Sequence, residues 1–196
     1  MILLTLTMVV AAYLIGSISS AILICKMAGL PDPRTTGSKN PGATNVLRIS
    51  NTLTAASVLF FDIIKGTIPV WGAYFLNIDS MSLGFVGVAA CLGHIYPIFF
   101  NFKGGKAVAT ALGTLLPIGF TLGGLLIITW VLVAKFSKYS SLAAIVTVSI
   151  APLFVFFIKP LYVYPTLMLS ALILFRHREN IIRLLKGTES KISHKT

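Results

Sequence analysis

The sequence predicts an all-α, polytopic bundle of transmembrane helices. Three observations carry this. Hydrophobic residues make up 56% of the 196-residue chain and charged residues only 11%, against about 25% charged in soluble domains. The mean hydropathy is +0.92. Apolar runs recur from end to end, several of them near the roughly 20 residues that a helix needs to cross a bilayer. No linker divides the chain, so residues 1–196 read as one integral membrane domain.

Residues 2–24 form the first predicted span. Gly16, Ser17, Ser19 and Ser20 in its second half offer small surfaces for helix packing. It lacks an early basic residue and a small-residue cleavage site, which argues for a retained span. Residues 25–52 form a polar loop, where Pro31, Pro33, Gly37, Pro41 and Gly42 oppose a long helix. Residues 53–76 are the second span. It carries Asp62 and Lys65, three apart, which read as a self-neutralising structural pair. After a turn at 77–80, residues 81–100 form the third span, with His94 read as structural near its end.

The run 107–134 has 28 residues. As one straight helix it would reach about 42 Å, against a hydrocarbon core of about 30 Å. Pro117, Gly119, Gly123 and Gly124 interrupt it. Two short helices meeting near Pro117 therefore fit better than one. Residues 140–157 and 160–175 are the last two runs, separated by Lys159 and Pro160, and a basic tail begins at Arg176.

Charge sets the count at seven spans. With the N-terminus outside, fourteen of the sixteen Lys and Arg residues fall inside or in the tail, as the positive-inside rule requires. Only Lys65, within a span, and Lys159, outside, depart from it. Five spans remain the alternative if 140–175 forms a hairpin that does not cross. The net charge of +11 is thus explained first by topology, then by lipid headgroups or anionic substrates, and needs no nucleic acid. Cys25 and Cys91 lie in or beside apolar segments and suggest neither a disulfide nor a metal site.

Seven spans bring three polar stretches to one membrane face. The first is GSKNPGATNVLR, 37–48. The second is GHIYPIFFNFKGGKAVAT, 93–110. The third is RHRENIIRLLKGTE, 176–189. Adjacent Gly104 and Gly105 can turn tightly and offer backbone N–H groups to an anion, next to Lys103 and Lys106. The Walker A spacing is absent. In the third stretch, helical spacing would place His177 and Asn180 on one face. Bases, small donors and glycines with few carboxylates suit a phosphorylated substrate. No familiar metal-ligand spacing, Ser-His-Asp signature or H-x-x-x-x-D pattern occurs.

These three stretches resemble the three motifs of the bacterial acyl-phosphate:glycerol-3-phosphate acyltransferases, in order and over nearly the whole chain. The family patterns are G-S-G-N-x-G-A-T-N-V-x-R, G-H-x-x-P-x-F-x-x-F-K-G-G-K-x-V-A-T and R-H-x-x-N-x-x-R-L-x-x-G-x-E. DIIKG at 62–66 also fits. Two positions depart: Lys39 stands where the family has glycine, and Ala107 where glycine is frequent.

The resemblance implies acyl transfer from acyl-phosphate to the 1-hydroxyl of sn-glycerol 3-phosphate. The products would be lysophosphatidic acid and phosphate, at the first step of phospholipid synthesis. It implies a multi-pass protein of the bacterial cytoplasmic (inner) membrane, with its site on the cytoplasmic face. Neither cofactor nor metal is expected. Ser38, Arg48, Lys106, His177 and Asn180 would surround the phosphates, with His177 expected to donate to phosphate as an anchor. Thr44, Asn45, Lys103, Gly104 and Gly105 would bind substrate, the glycines through their N–H groups. The competing reading is a transporter of a phosphorylated solute. It would call for polar residues through the membrane depth and for internal repeats, and neither is evident in the sequence.

Overall fold

The structure is a computed structural model that describes residues 1–192. Lys195, counted among the tail bases, lies outside them. The described residues are helical and turn structure throughout. The helices are α1 (Ile2–Gly16), α2 (Ser20–Met27), α3 (Ala43–Ile49), α4 (Thr52–Phe75), α5 (Ser80–Ile95), α6 (Val108–Leu115), α7 (Phe120–Ser137), α8 (Ser140–Ile158), α9 (Val163–Arg176) and α10 (Arg178–Leu185).

Five helical stretches are long and apolar enough to cross a bilayer: Ile2–Met27, Thr52–Phe75, Ser80–Phe100, Phe120–Ser137 and Ser140–Ile158. Two shorter ones, Val108–Ile118 and Pro160–Arg176, complete the seven expected apolar segments. Large side chains such as Phe60, Phe61, Phe136 and Phe157 point outward. In water such a surface would be a liability; in lipid it is the solvated face.

The first span is broken where continuity was expected. Helix α1 stops at Gly16, and α2 resumes after Ser19, whose backbone is extended. A break leaves carbonyls without helical partners, which in lipid must be satisfied by protein. Lys65 Nζ donates to Ile18 O at 2.9 Å and supplies one such partner. Helix α4 starts where Asn51 Oδ1 accepts from Thr54 N–H at 2.9 Å, and α5 where Asp79 Oδ1 accepts from Met81 and Ser82. Helix α5 ends before Pro97, because a residue preceding proline is disfavoured in helical conformation.

The 107–134 run divides as the glycines and proline indicate. Helix α6 gives way to a 3-10 turn at Leu116–Ile118 and α7 begins after Gly119. Helix α6 packs against α4 at backbone distance. A Cβ on Gly113 would overlap Ile63 O, and one on Gly66 would overlap Thr110 O. Small residues permit this approach, and Thr67 Oγ1 adds a hydrogen bond across it to Gly113 O at 2.9 Å. The short α6 is thus bound to the bundle by contact that larger residues would forbid.

Both departures from the family pattern fall on left-handed backbone. Lys39 and Ala107 each have φ near 58°, a conformation that costs a non-glycine residue about 1–2 kcal/mol. Glycine recovers that but loses about 0.5–1 kcal/mol of chain entropy. Lys39→Gly and Ala107→Gly should therefore each leave the fold intact and stabilise it by up to about 1 kcal/mol, measured by unfolding in detergent. Marked destabilisation of both variants would contradict this account.

Candidate active site

The three motifs converge at one end of the bundle, but not every residue in them faces the same space. The centre is a link from the second motif to the third. Lys106 Nζ donates to Asn180 Oδ1 at 2.6 Å. The other side of that amide donates to Glu189 Oε1 at 2.6 Å. Glu189 also accepts from Ser141 Oγ and from Arg183 Nε, both at 2.7 Å. Its carboxylate side chain is only 7% exposed. Ser141 lies in the first turn of α8, where the helix dipole favours an anion.

The first motif reaches the cluster through α3. Arg48 donates to the carbonyls of Ser190 and Lys191 at 3.3 and 3.1 Å, beside Glu189. Thr44 Oγ1 lies 3.0 Å from Ser140 Oγ and ties α3 to the start of α8. Asn45 takes a different part. Its amide is wholly engaged by its own loop: Oδ1 accepts from Ser38 N–H at 2.7 Å, and Nδ2 donates to Pro33 O and Thr36 O. Asn45 shapes the loop that carries Ser38. Ser38 itself is exposed and is joined to the cluster only through that loop.

Two expectations are corrected by geometry. The N–H groups of Gly104 and Gly105 do not form an open anion cradle. They donate to Ile95 O and His94 O, both at 3.1 Å, and fasten the loop to the end of α5. A Cβ on either glycine would overlap His94, so their role is close approach. Gly105 O accepts in turn from Arg176 Nε at 3.2 Å. Lys103 is exposed and apart from the cluster, whereas Lys106 is turned into it.

The second correction concerns His177. It is buried between α9 and α10, and its Nδ1 lies 2.8 Å from Ile173 O. A carbonyl only accepts, so Nδ1 carries the proton and Nε2 keeps its lone pair. Burial, opposed by that bond and reinforced by the charge of Lys106, lowers its pKa to about 4. Neutral His177 thus offers an acceptor at Nε2. Donation from there to phosphate would need a second proton, which the site without an anion disfavours.

The cations are partly desolvated. Burial, only partly offset by Glu189, lowers the Lys106 pKa to about 8. Burial also pulls the Arg48 guanidinium below its ordinary value, and Glu189 opposes the shift. Glu189 stays ionised: burial raises its pKa, but the bonds from Ser141, Arg183 and Asn180 lower it further. Partly desolvated cations with one shared counter-anion attract a further anion strongly. Among the described residues no group of three or more His, Cys, Asp or Glu side chains could hold a metal.

Ser140, Ser141, Arg176, Arg183 and Glu189 were not among the expected site residues. Arg176, Arg183 and Glu189 lie within the third motif, and the two serines immediately before an apolar run mark a helix start. Both were signals. What the sequence could not supply was the fold of residues 186–192 back onto α8, where Ile192 N–H bonds Lys138 O.

Such a bundle, with a buried, base-rich polar cluster at one end, belongs to the class of multi-pass integral membrane proteins with a site suited to anions. The profile of the glycerol-3-phosphate acyltransferase family matches residues 6–187, and the chain belongs to that family. A glycerol-3-phosphate acyltransferase of Colwellia psychrerythraea is 86% identical over 195 residues, covering 100% of both chains. One of Pseudoalteromonas translucida is 60% identical, over 96% of this chain and 93% of that one. The fold is also similar to crystal structures of PlsY (YgiH), an integral membrane glycerol 3-phosphate acyltransferase. Its glycerol 3-phosphate form has a TM-score of 0.89 at 41% identity, covering 96% of each chain. Its lysophosphatidic acid form has a TM-score of 0.88 at 39% identity, covering 97% and 96%.

The Lys106 shift has a signed consequence. Its cation is present below about pH 8 and is lost as pH rises through that value. For the free enzyme, kcat/KM with glycerol 3-phosphate should fall by roughly tenfold per unit above it. Lys106→Arg keeps the charge and should flatten that alkaline limb. A wild-type profile flat from about pH 7 to about pH 10 would show that Lys106 does not carry the anion contact.

Proposed function

We propose that this protein transfers a fatty acyl group from acyl-phosphate to the 1-hydroxyl of sn-glycerol 3-phosphate, releasing 1-acyl-glycerol 3-phosphate and inorganic phosphate. The observation that carries the reading is the Lys106–Asn180–Glu189 link, with Arg183 and Arg48 around it. It gathers cations and donors at the rim of an apolar bundle, where a phosphate head and an acyl tail can be held together. Family membership and the glycerol 3-phosphate and lysophosphatidic acid forms of PlsY support the acceptor and the product.

The chemistry asks little covalent work of the protein. Acyl-phosphate is a mixed anhydride with a good leaving group. The hydroxyl oxygen attacks the acyl carbon, the new ester C–O bond forms, and the bond from acyl carbon to phosphate oxygen breaks. The hydroxyl proton leaves on phosphate or through a base. Bringing two anions together is the main barrier, and fixed cations and donors lower it. Lys106 and Arg48 serve as phosphate contacts, with Asn180 and Ser38 as further donors, while Thr44 and Asn45 hold the first-motif side. Neutral His177, with its Nε2 lone pair, accepts from the attacking hydroxyl. The membrane is the bacterial cytoplasmic membrane and the site lies on its cytoplasmic face, a reading that the excess of bases in the site-side loops supports.

The deciding assay uses purified protein with acyl-phosphate and glycerol 3-phosphate, following lysophosphatidate and phosphate in equal amounts. Acyl-CoA free of acyl-phosphate should give no comparable turnover. Equal rates with both donors would refute the donor assignment, and solute flux without ester formation would favour the transporter reading.

His177→Gln tests the acceptor role. Glutamine can donate where the imidazole cannot, but it has no basic nitrogen. Loss of roughly a hundredfold or more in single-turnover rate, with glycerol 3-phosphate affinity little changed, is expected if His177 takes or orients the hydroxyl proton. Weaker binding with a near-normal rate would instead return His177 to a phosphate anchor.

A further inference from the structure

A second cluster of polar side chains lies within the bundle, beneath the glycine loop. Lys65 Nζ sits 2.7 Å from Asp62 Oδ1, and both side chains are almost fully buried. His94 Nδ1 faces the same Asp62 oxygen at 3.5 Å. That ring nitrogen has no hydrogen-bond partner among the described residues. A charge pair and an imidazole in this setting are expensive to keep. If neutralisation were the whole purpose, Lys65 and Asp62 would suffice, and His94 could be apolar.

What His94 touches on its other side suggests more. Its ring lies directly under Gly105, where a Cβ would overlap Nε2. Its backbone oxygen accepts the Gly105 N–H at 3.1 Å. The Gly105 carbonyl accepts from Arg176 Nε at 3.2 Å. Gly105 is therefore held from below, behind and above, and the next residue is Lys106, bonded to Asn180. The lower end of the chain is anchored in turn: Asp62 is held by Lys65, and Lys65 by Ile18 O in the break between α1 and α2.

We propose that His94, packed against the Asp62–Lys65 pair, is a positioning residue that sets the height of the Gly104–Gly105 loop and so presents Lys106 to the phosphate-bearing substrate. The inference rests on the acyl-transfer reading for its substrate but not for its geometry. A loop resting on an imidazole wedged between Gly105 and the buried Asp62 carboxylate has one height. A loop resting on an apolar side chain can slide, and a displacement of about 1 Å at a substrate contact can cost up to roughly a hundredfold in rate.

The test uses the full-length protein in detergent and the variants His94→Leu, His94→Gln and Asp62→Asn. Glutamine keeps a polar group facing Asp62 and can still lie under Gly105; leucine fills the space with no polar group toward Asp62. Lys106 is observed by NMR of methylated lysines, assigned with Lys106→Arg, so no substrate is required. The charged and titratable groups facing it are Arg176, His177, Glu179, Arg183 and Glu189. None of them is altered.

In His94→Leu the Lys106 titration should move up toward that of an ordinary lysine, as the amine swings out of its buried seat. KM for glycerol 3-phosphate should rise by roughly tenfold or more, with a smaller change in kcat. His94→Gln should restore most of both. Should His94→Leu give no folded protein, Asp62→Asn, which keeps the shape and loses the charge, should show the same two changes. A folded variant with a lower unfolding temperature but unmoved Lys106 titration and KM would overturn the proposal and leave the cluster purely structural. If the wild-type protein proves not to use acyl-phosphate, the functional reading fails, while the Lys106 titration still decides the positioning role.

Discussion

The Glu189 carboxylate is the contact on which the site depends. The chain has sixteen Lys and Arg residues and five Asp and Glu, so negative charge is the scarce component. Glu189 joins the start of α8, helix α10 and, through Asn180, the Lys106 loop. Without an anion there, Lys106, Arg183 and Arg48 would repel one another across a poorly hydrated space. With it, they can stand close together and still show net positive potential. The strap that carries Glu189 is also the partner of Arg48, through the carbonyls of Ser190 and Lys191. One carboxylate and two backbone oxygens thus organise bases from all three motifs.

The membrane explains why this order is built on breaks and glycines. A lipid-facing bundle gains little from burying leucine against leucine, because lipid is equally apolar. Specific geometry comes from close backbone contact and from polar groups that must find partners. The α4–α6 contact through Gly66 and Gly113 is the first kind. The carbonyl of Ile18, met by Lys65, is the second. The Lys106 loop is fastened by the same two means: close approach of Gly104 and Gly105 to His94, and their N–H bonds to Ile95 O and His94 O.

Much of this was legible in the residues. Apolar run lengths set out the helices, and Pro117 with Gly119 marked the division between α6 and α7. Asp62 and Lys65 were paired by spacing, and the structure places them in contact. Long-range folding was not legible. The polar groups of Asn45 and the glycine N–H donors looked available, because nothing local shows that Pro33, Thr36, Ile95 and His94 occupy them. The proton on His177 Nδ1 was hidden for a different reason. It follows from a carbonyl four residues back in the same chain, which becomes a partner only because α9 ends at Arg176 and the ring folds back on it.

The same logic explains why burial of the site is compatible with its chemistry. Desolvation lowers the Lys106 pKa to about 8 and the His177 pKa to about 4, and the two shifts serve opposite ends. At neutral pH Lys106 is still mostly a cation, short of hydration and therefore open to a further anion. His177 is neutral, with its lone pair free. A wetter site would raise both values, hydrating the lysine and weakening its pull on any anion, and would protonate part of the histidine population. A drier one would deprotonate the lysine. Burial thus leaves one cation and one neutral imidazole side by side, with the Glu189 carboxylate bonded to Ser141, Asn180 and Arg183 next to them.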